Sequence, residues 1–481
     1  MDGFASRVPA DRRIYPNRTL NLRNIAAVGF DMDYTLVHYD PQAWEGAAFA
    51  AAVRLLRECG IDLSGVSFDA QAFTRGLVLD LELGNIVKAN RFGYPKRASH
   101  GYALLDWPTH RSTYERTFVD LREDRWVFLN TLFSLSEAQL FAELVERVDQ
   151  GSIPGVRTYA EAFRLLADTL RRVHTEGHIK DAVTADPGAF IVPDPETPLA
   201  LLDLHHAGKK LALITNSEWS YTQAVMSHTF DPYLGGASWR SLFDILIVAA
   251  RKPAFFTGEH SVYRVADTER GLLEPYSGPL EQGEAYHGGC ASMVERAFGL
   301  SGESILYIGD HVFADVNVSK KLLRWRTGLV VRELESEVRP LPQTAQIDLL
   351  MEDKRALEHQ LATRRLMKQR HDAGYGPQPT QRCEVLEAEV ADLRARIEAI
   401  DAEVAPLLIE QSKLGNARWG PLFRAGNDKS HFARQVERYA DFYTSRVSNL
   451  LHATPYAYLR APRGLLPHDE RGIRGRRKYF I

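Results

Sequence analysis

The sequence predicts an α/β protein: a doubly wound parallel sheet interrupted by an inserted domain. Three observations carry that expectation. Four short apolar runs, Ile25 to Phe30, Leu211 to Ile214, Leu242 to Val248 and Ile305 to Ile308, each stop at a polar cluster. Unbroken apolar runs of this kind suit strands of a parallel sheet covered on both faces. Helical patterns follow two of them, at Tyr221 to His228 and Phe313 to Leu323, and strand–helix alternation implies a doubly wound layer. About 170 residues separate the first strand from the second, whereas a βα connection needs only a few.

In chain order, residues 1–40 and 195–345 are expected to form the sheet-based core, and 41–194 the insertion. The insertion shows helical stretches at Phe49 to Glu58, Glu137 to Val148 and Tyr159 to Val173, and a Gly-punctuated, strand-like region near 76–102. Leaving the sheet after the first strand, it would hang over the strand ends as a lid. Beyond 345, Leu386, Val390, Leu393, Ile397, Ile400, Val404 and Leu407 repeat at spacings of 4 and 3, a heptad seam. Leu350, Leu357 and Leu361 form a weaker stripe upstream, and the Gly- and Pro-bearing stretch at 372–381 separates the two. An antiparallel helical hairpin over 346–412 follows. It reads first as a packing or homo-oligomerisation element, with a partner-binding arm as the alternative. Residues 413–481 are expected to pack on the core as a helical segment, ending in a basic tail from Arg471.

Composition narrows the class. Of 481 residues, 45% are hydrophobic and 25% charged, and the net charge is −3. These are the values of a soluble globular protein, and they argue against a chain-wide basic surface for nucleic acid. Cys59, Cys290 and Cys383 are too far apart for a disulfide framework or a CxxC metal site. No apolar run approaches the ~20 residues that span a bilayer, and the first residues lack the apolar core of a secretory signal. A cytoplasmic protein without nucleic-acid or membrane partners is expected.

The polar clusters lie where the strands of such sheets end, the rim at which ligands collect. Asp31 and Asp33 follow the first strand. Two carboxylates at i and i+2 face one small site once the chain turns, and a bound cation keeps both ionised. One can attack phosphorus; the other can protonate the leaving oxygen and later activate water. Mg²⁺ suits such a site, because it takes one or two carboxylates plus phosphate and water. Thr215-Asn216-Ser217 offers two hydroxyls and an amide to phosphate oxygens at a helix start. Lys252, after the third strand, can neutralise phosphoryl charge; Lys209 and Lys210 precede their strand and belong to the opposite edge. Asp310 is placed to bind metal, with Gly309 permitting the turn and Asp315 orienting Lys252 or a metal-bound water. Each cluster alone could be a cap or a turn. Their order, nucleophile, phosphate holder, lysine and metal carboxylate, is what points to phosphoryl chemistry.

These four clusters resemble the motifs of the haloacid dehalogenase (HAD) superfamily of phosphatases. The chain is most similar to its cytosolic purine 5′-nucleotidase branch, through GFDMDYTLVHY (29–39), TRGLVLDLELGNIVK (74–88), LNTLF (129–133), ITNS (214–217), ARKPAFF (250–256), LYIGDHVFADV (306–316), WRTGLVV (325–331) and FARQVERYADFYTSRVSNLL (432–451). The resemblance implies Asp31 as nucleophile and Asp33 as acid/base. It implies phosphate held by Thr215 and Asn216, with Ser217 on the substrate side, Lys252 stabilising the transferred group, and Mg²⁺ on Asp31, Asp310 and the Asp33 main-chain carbonyl. Phe133 would stack on a purine, with His174 and Lys180 near the nucleotide. Ala167 and Arg171 stand where the family's base-reading Arg and Asp are expected, and Thr175 where an aromatic is usual. The expected activity is Mg²⁺-dependent hydrolysis of nucleoside 5′-monophosphates, IMP- or GMP-like, with phosphotransfer to a nucleoside acceptor as a side reaction. The alternatives are a phosphatase for another small phosphomonoester and an oligomeric scaffold with a vestigial site.

Overall fold

The computed structural model describes residues 8–175, 177–338 and 344–462. Its centre is a ten-stranded sheet whose strands, in chain order, are β1 (Tyr15–Pro16), β2 (Ala27–Phe30), β3 (Lys210–Ile214), β4 (Ile245–Val248), β5 (Val262–Asp267), β6 (Leu272–Tyr276), β7 (Ala285–Gly288), β8 (Ile305–Gly309), β9 (Arg326–Val330) and β10 (Phe442–Thr444). Their spatial order is β1-β10-β9-β8-β2-β3-β4-β7-β5-β6. From β10 to β7 all neighbours are parallel, while β1, β5 and β6 add antiparallel edges. All four expected strands are present. The chain builds outward from β2 in both directions, towards β3 and β4 on one side and β8 and β9 on the other. Crevices at the carboxyl ends of strands form at such a reversal.

Burial on both faces explains the apolar runs: every residue of β2, β4 and β8 is buried. Gly29 in β2 has a steric reason. A Cβ there would lie 2.8 Å from the ring of Tyr307 on β8, so glycine lets two neighbouring strands share one large aromatic.

Residues 41–194 leave the sheet after β2. Helix α1 (Pro41–Glu58) opens with Asp40 accepting from the Ala43 N–H at 2.9 Å and with Pro41 in its first turn. Helices α2 (Leu135–Asp149), α3 (Tyr159–Thr175) and α4 (His178–Ala185) follow. Between α1 and α2, residues 78–128 form a five-stranded antiparallel sheet. One apolar cluster runs from Phe30, Leu213 and Leu246 of the central sheet through Trp44, Phe49 and Leu56 of α1 to Leu140, Phe141 and Leu144 of α2. The insertion is therefore packed on the sheet as well as tethered to it.

Helix α5 (Trp219–Phe230) follows β3. After β8, a single π-type turn over Val312–Asn317 precedes the α-helix Val318–Leu323, where one regular helix was expected. Helices α6 (Thr344–Ala373) and α7 (Cys383–Ser412) pack antiparallel, with Leu357, Leu386, Val390, Leu393 and Val404 buried between them. Ile397, Ile400 and Leu407 of the seam are only half-buried, because a pair of helices covers each stripe from one side.

The stretch after 413 does more than pack as helix. It carries α8 (His431–Tyr439), and then β10 joins the central sheet beside β9, pairing Phe442 with Gly328. A three-residue strand has no periodicity to read, and only its partner reveals it. The basic tail from Arg471 lies outside the described residues.

Candidate active site

The residues after β2, β3, β4 and β8 meet at one rim. The chain turns sharply after β2, with Tyr34 at φ 53°, a left-handed conformation unusual for a side chain of this size. Ala249 and Arg251 take φ 47° and 59° in the loop after β4. Backbone of this kind collects at functional sites held in place by their surroundings. Here it buries Lys252 while leaving Arg251 exposed.

Lys252 is the hub. Its Nζ lies 2.7 Å from Asp31 Oδ1 and 2.8 Å from Asp315 Oδ1, and it donates to the Tyr307 hydroxyl at 2.9 Å. The ammonium thus makes two ion pairs, with Asp31 and Asp315, and one hydrogen bond, to Tyr307. Tyr307 in turn donates to the Ile214 carbonyl at 3.1 Å, which fixes its ring in the space beside Gly29. Asp31 is held through the same oxygen, Oδ1, which also accepts from the Met32 N–H at 2.8 Å. Burial pushes the Asp31 carboxyl up and the Lys252 charge pulls it back, while Asp31 and Asp315 hold the lysine well above its ordinary range. The buried ammonium is thus firmly charged.

Asp31, Asp310 and Asp315 are all buried, with ligand oxygens within 4.8 Å of one another. Burial, followed by the charges of Asp315 and Asp31, holds the Asp310 carboxyl well above the usual range. Three carboxylates face one lysine, a deficit of two charges that a divalent cation would cancel. All three donors are hard oxygens, the set that magnesium or calcium prefers over softer metals. The site therefore fits a divalent cation. Thr131 Oγ1 lies 3.4 Å from Asp310 Oδ2.

Asp33 points elsewhere. Its Oδ1 accepts from the Tyr39 hydroxyl at 2.6 Å and its Oδ2 from Ser217 Oγ at 2.8 Å, so its carboxylate lies outside the acidic cluster. Thr215 Oγ1 accepts from the Ser217 N–H at 3.0 Å, closing the turn after β3. The Asn216 carboxamide clasps the Lys252 backbone, accepting from its N–H at 2.6 Å and donating to its carbonyl at 3.2 Å. In this arrangement the Asn216 side chain holds the lysine loop. Lys180, from α4, lies 3.4 Å from Ser217 Oγ. Phe133 packs edge-on to Tyr34 and to Trp44, with centroids 4.7 and 4.6 Å apart, and His174 stacks on Trp44 at 5.8 Å. On α3, Ala167 is half-buried and Arg171 pairs with Asp168 on its own helix; the Thr175 side chain lies outside the described residues. Lys209 and Lys210 serve the other edge, Lys209 donating to the Leu22 and Ile25 carbonyls at 2.7 and 2.6 Å.

Sequence reasoning missed three residues. Tyr307 and Tyr39 lie inside or next to strands and look like core. Arg75, in the insertion, is fully buried; it binds Glu333 through Nε at 2.9 Å and Nη2 at 2.5 Å, and donates to the Asp310 carbonyl at 3.2 Å. A fully buried arginine has no periodic signature. Only the strand register, which sets Tyr307 opposite Gly29, shows why it fits here.

A carboxylate paired to a buried lysine, beside an acidic cluster at the rim of a parallel sheet, is the arrangement of charged groups that the four sequence clusters predict. The chain belongs to the 5′ nucleotidase family, whose model matches residues 14–471, and so to the phosphoric monoester hydrolases. It is 28% identical to 5′-nucleotidase domain-containing protein 2 of Homo sapiens over 456 residues, covering 91% of this chain and 81% of that protein. The Rattus norvegicus protein of the same name is 28% identical over 456 residues, covering 91% and 76%. Among solved structures, an archaeal beta-phosphoglucomutase from Pyrococcus sp. strain ST 04 overlaps 64% of this chain and 86% of its own at 11% identity, with a TM-score of 0.31.

Proposed function

We propose that this chain is a Mg²⁺-dependent 5′-nucleotidase that releases phosphate from nucleoside 5′-monophosphates, purine ones foremost, through an aspartyl-phosphate. The observation that carries this reading is the Lys252 ammonium bridging Asp31 and Asp315 at 2.7 and 2.8 Å. That bridge fixes Asp31 by one oxygen, leaving Oδ2 as the attacking atom. Lys252 then offsets the charge spread over the phosphoryl oxygens. Thr215 closes the phosphate end of the site, Ser217 donates to Asp33, and Asp33 hands its proton to the departing 5′ oxygen. Mg²⁺, held by Asp31, Asp310 and the Asp33 carbonyl, would supply charge neutralisation for phosphate and carboxylates alike.

Phe133, half-buried and backed by the buried rings of Tyr34 and Trp44, offers the aromatic face against which a purine stacks, with His174 beside it. Stacking tolerates any base, and α3 presents Ala167 and a self-paired Arg171 where polar readout would sit. Apolar slots discriminate weakly, whereas hydrogen-bonding sites discriminate strongly. Purine preference is therefore modest, and a nucleoside that competes with water for the phosphoenzyme makes the enzyme a phosphotransferase.

The same α3 observation favours a second reading, a different small phosphomonoester as substrate. One set of assays tests both. In the native protein, kcat/KM for nucleotides exceeds that for sugar phosphates, a chelator abolishes turnover, and added Mg²⁺ restores it. Asp31→Asn keeps an unchanged far-UV spectrum and loses all turnover. An active Asp31→Asn variant overturns the proposal; sugar phosphates outrunning nucleotides selects the second reading.

A further inference from the structure

Two carboxyls stand two residues apart in this site, and they are held by different chemistry. Asp31 is gripped by an ammonium and a main-chain N–H, whereas, among the described residues, Asp33 is gripped by hydroxyls. The Tyr39 hydroxyl donates to Asp33 Oδ1 at 2.6 Å, and the Tyr221 hydroxyl donates to Tyr39 at 2.9 Å. On the other oxygen, Ser217 Oγ donates at 2.8 Å, and Lys180 Nζ lies 3.4 Å from Ser217 and 5.1 Å above the Tyr221 ring. Every proton in the chain Lys180, Ser217, Asp33, Tyr39, Tyr221 is directed towards Asp33. Tyr39, Tyr221 and Ser217 are 0%, 4% and 4% exposed, so they have little access to water as an alternative partner.

We infer that Tyr39, backed by Tyr221, and Ser217 are positioning residues that lock the plane of the Asp33 carboxyl for proton transfer, with Lys180 tying that lock to the insertion. The inference rests on Asp33 being the acid/base of the reaction proposed above. A carboxyl bonded on both oxygens from opposite sides loses its freedom to rotate. Hydroxyls suit a group that alternates between acid and base, because a hydroxyl both donates and accepts and reorients to suit. In the first half-reaction an Asp31 oxygen bonds to phosphorus as the bond to the 5′ oxygen breaks. The electron pair stays on that oxygen, which takes the Asp33 proton. In the second, a water oxygen bonds to phosphorus, the Asp31–phosphorus bond breaks with its pair returning to Asp31, and the water proton passes to Asp33. Both transfers need Asp33 aimed at the same point, and a misplacement of about 1 Å costs on the order of 100-fold.

The test is the leaving-group dependence of kcat/KM, which reports only steps up to phosphoenzyme formation. A nucleoside monophosphate needs a proton for its departing alkoxide; p-nitrophenyl phosphate does not. Tyr39→Phe and Ser217→Ala are each expected to lose about 10- to 100-fold on the nucleotide and less than about 3-fold on p-nitrophenyl phosphate. Tyr221→Phe should show a smaller split of the same sign. Asp33→Asn, run alongside, should show the largest split. An equal fall on both substrates, or no fall on the nucleotide, overturns the positioning role. Ser217→Ala reads the other Asp33 oxygen independently, should Tyr39→Phe fail to fold. If Asp33→Asn itself shows no split, the acid/base assignment fails and this inference falls with it. A split in Asp33→Asn with none in Tyr39→Phe and Ser217→Ala overturns the inference and leaves the assignment standing.

Discussion

Small steric facts decide what the site's charged groups can do. Gly309 was expected to serve a tight turn, but its φ is not in the left-handed region; what it supplies is room. A Cβ there would sit 2.5 to 2.7 Å from Oδ2, Cγ and Cβ of Asp315. Asp315 is braced by the His311 N–H at 3.1 Å and holds Lys252 at 2.8 Å, so it has nowhere to retreat without releasing the lysine. Gly309→Ala is therefore expected to lower kcat by roughly 100-fold, the scale of a 1 Å misplacement, while KM changes little. Steady-state kinetics with a thermal melt checks this; a variant with full kcat shows that Asp315 yields without disturbing Lys252. Motif reading found Asp31, Lys252 and Asp310 because each follows a strand end, and Asp315 because it lies in the helical turn just beyond Asp310, a local pattern. Tyr307 was illegible: it meets Lys252 from 55 positions away, and nothing nearby in the sequence distinguishes it from core.

Between elements, Arg75 does the joining. It reaches from the insertion to Glu333 after β9, to the Asp310 carbonyl after β8, and over the Phe432 ring of α8 at 5.2 Å. Three parts of the chain that carry site residues or cover them converge on one guanidinium. Arg75→Met leaves Glu333 without its partner and should cost about 3 kcal/mol, the scale of breaking a buried pair. It also frees the loop bearing Asp310, so kcat falls with stability. Arg75→Lys keeps the charge but not the two-pronged fork, and should lie between wild type and Arg75→Met on both measures. Denaturant melts and kcat for the pair settle it; a stable Arg75→Met with normal kcat removes Arg75 from this role. A second tie sits nearby: Lys88 Nζ of the insertion donates to the carbonyls of Trp419, Gly420 and Pro421 at 2.5, 3.3 and 2.7 Å. Helical and strand patterns foretold the elements themselves, but these ties join residues hundreds of positions apart and leave no periodic trace.

The whole molecule carries buried acids whose ionisation the fold resists. Glu45 of α1 is fully buried; its Oε2 accepts from the Ser136 N–H at 2.8 Å and its Oε1 has no hydrogen-bond partner among the described residues. Burial raises its pKa from 4.5 to about 7, against the Ser136 hydrogen bonds that lower it. Folded protein then holds a proton that the unfolded chain has released, so the stabilising contribution is complete below 4.5 and lost as pH rises through about 7. Glu137 and Glu337, raised by burial to about 7, run the same way, whereas His38 and His431, lowered by burial to about 3 and about 4, oppose them in acid. The clean measurement is a difference. The melting temperature of Glu45→Gln minus that of wild type should rise between pH 5 and pH 8.5, because the amide never ionises. A difference that stays flat shows that Glu45 does not titrate in the folded protein.

By itself, the sequence determined the parallel sheet, the insertion after its first strand, the helical pair beyond residue 345, and four clusters of phosphoryl-transfer chemistry. Those features follow from local periodicity and from the rule that side chains at strand ends face a common rim. The tertiary structure alone decided which groups touch. It drew Asp31 and Asp33 into different hydrogen-bonding company, turned the Asn216 carboxamide to the Lys252 backbone, brought Arg75 under the Asp310 loop and slotted β10 into the sheet. The reason is physical: periodicity records which face a residue buries, whereas partners across a core depend on register and packing between segments that the chain brings together only when it folds.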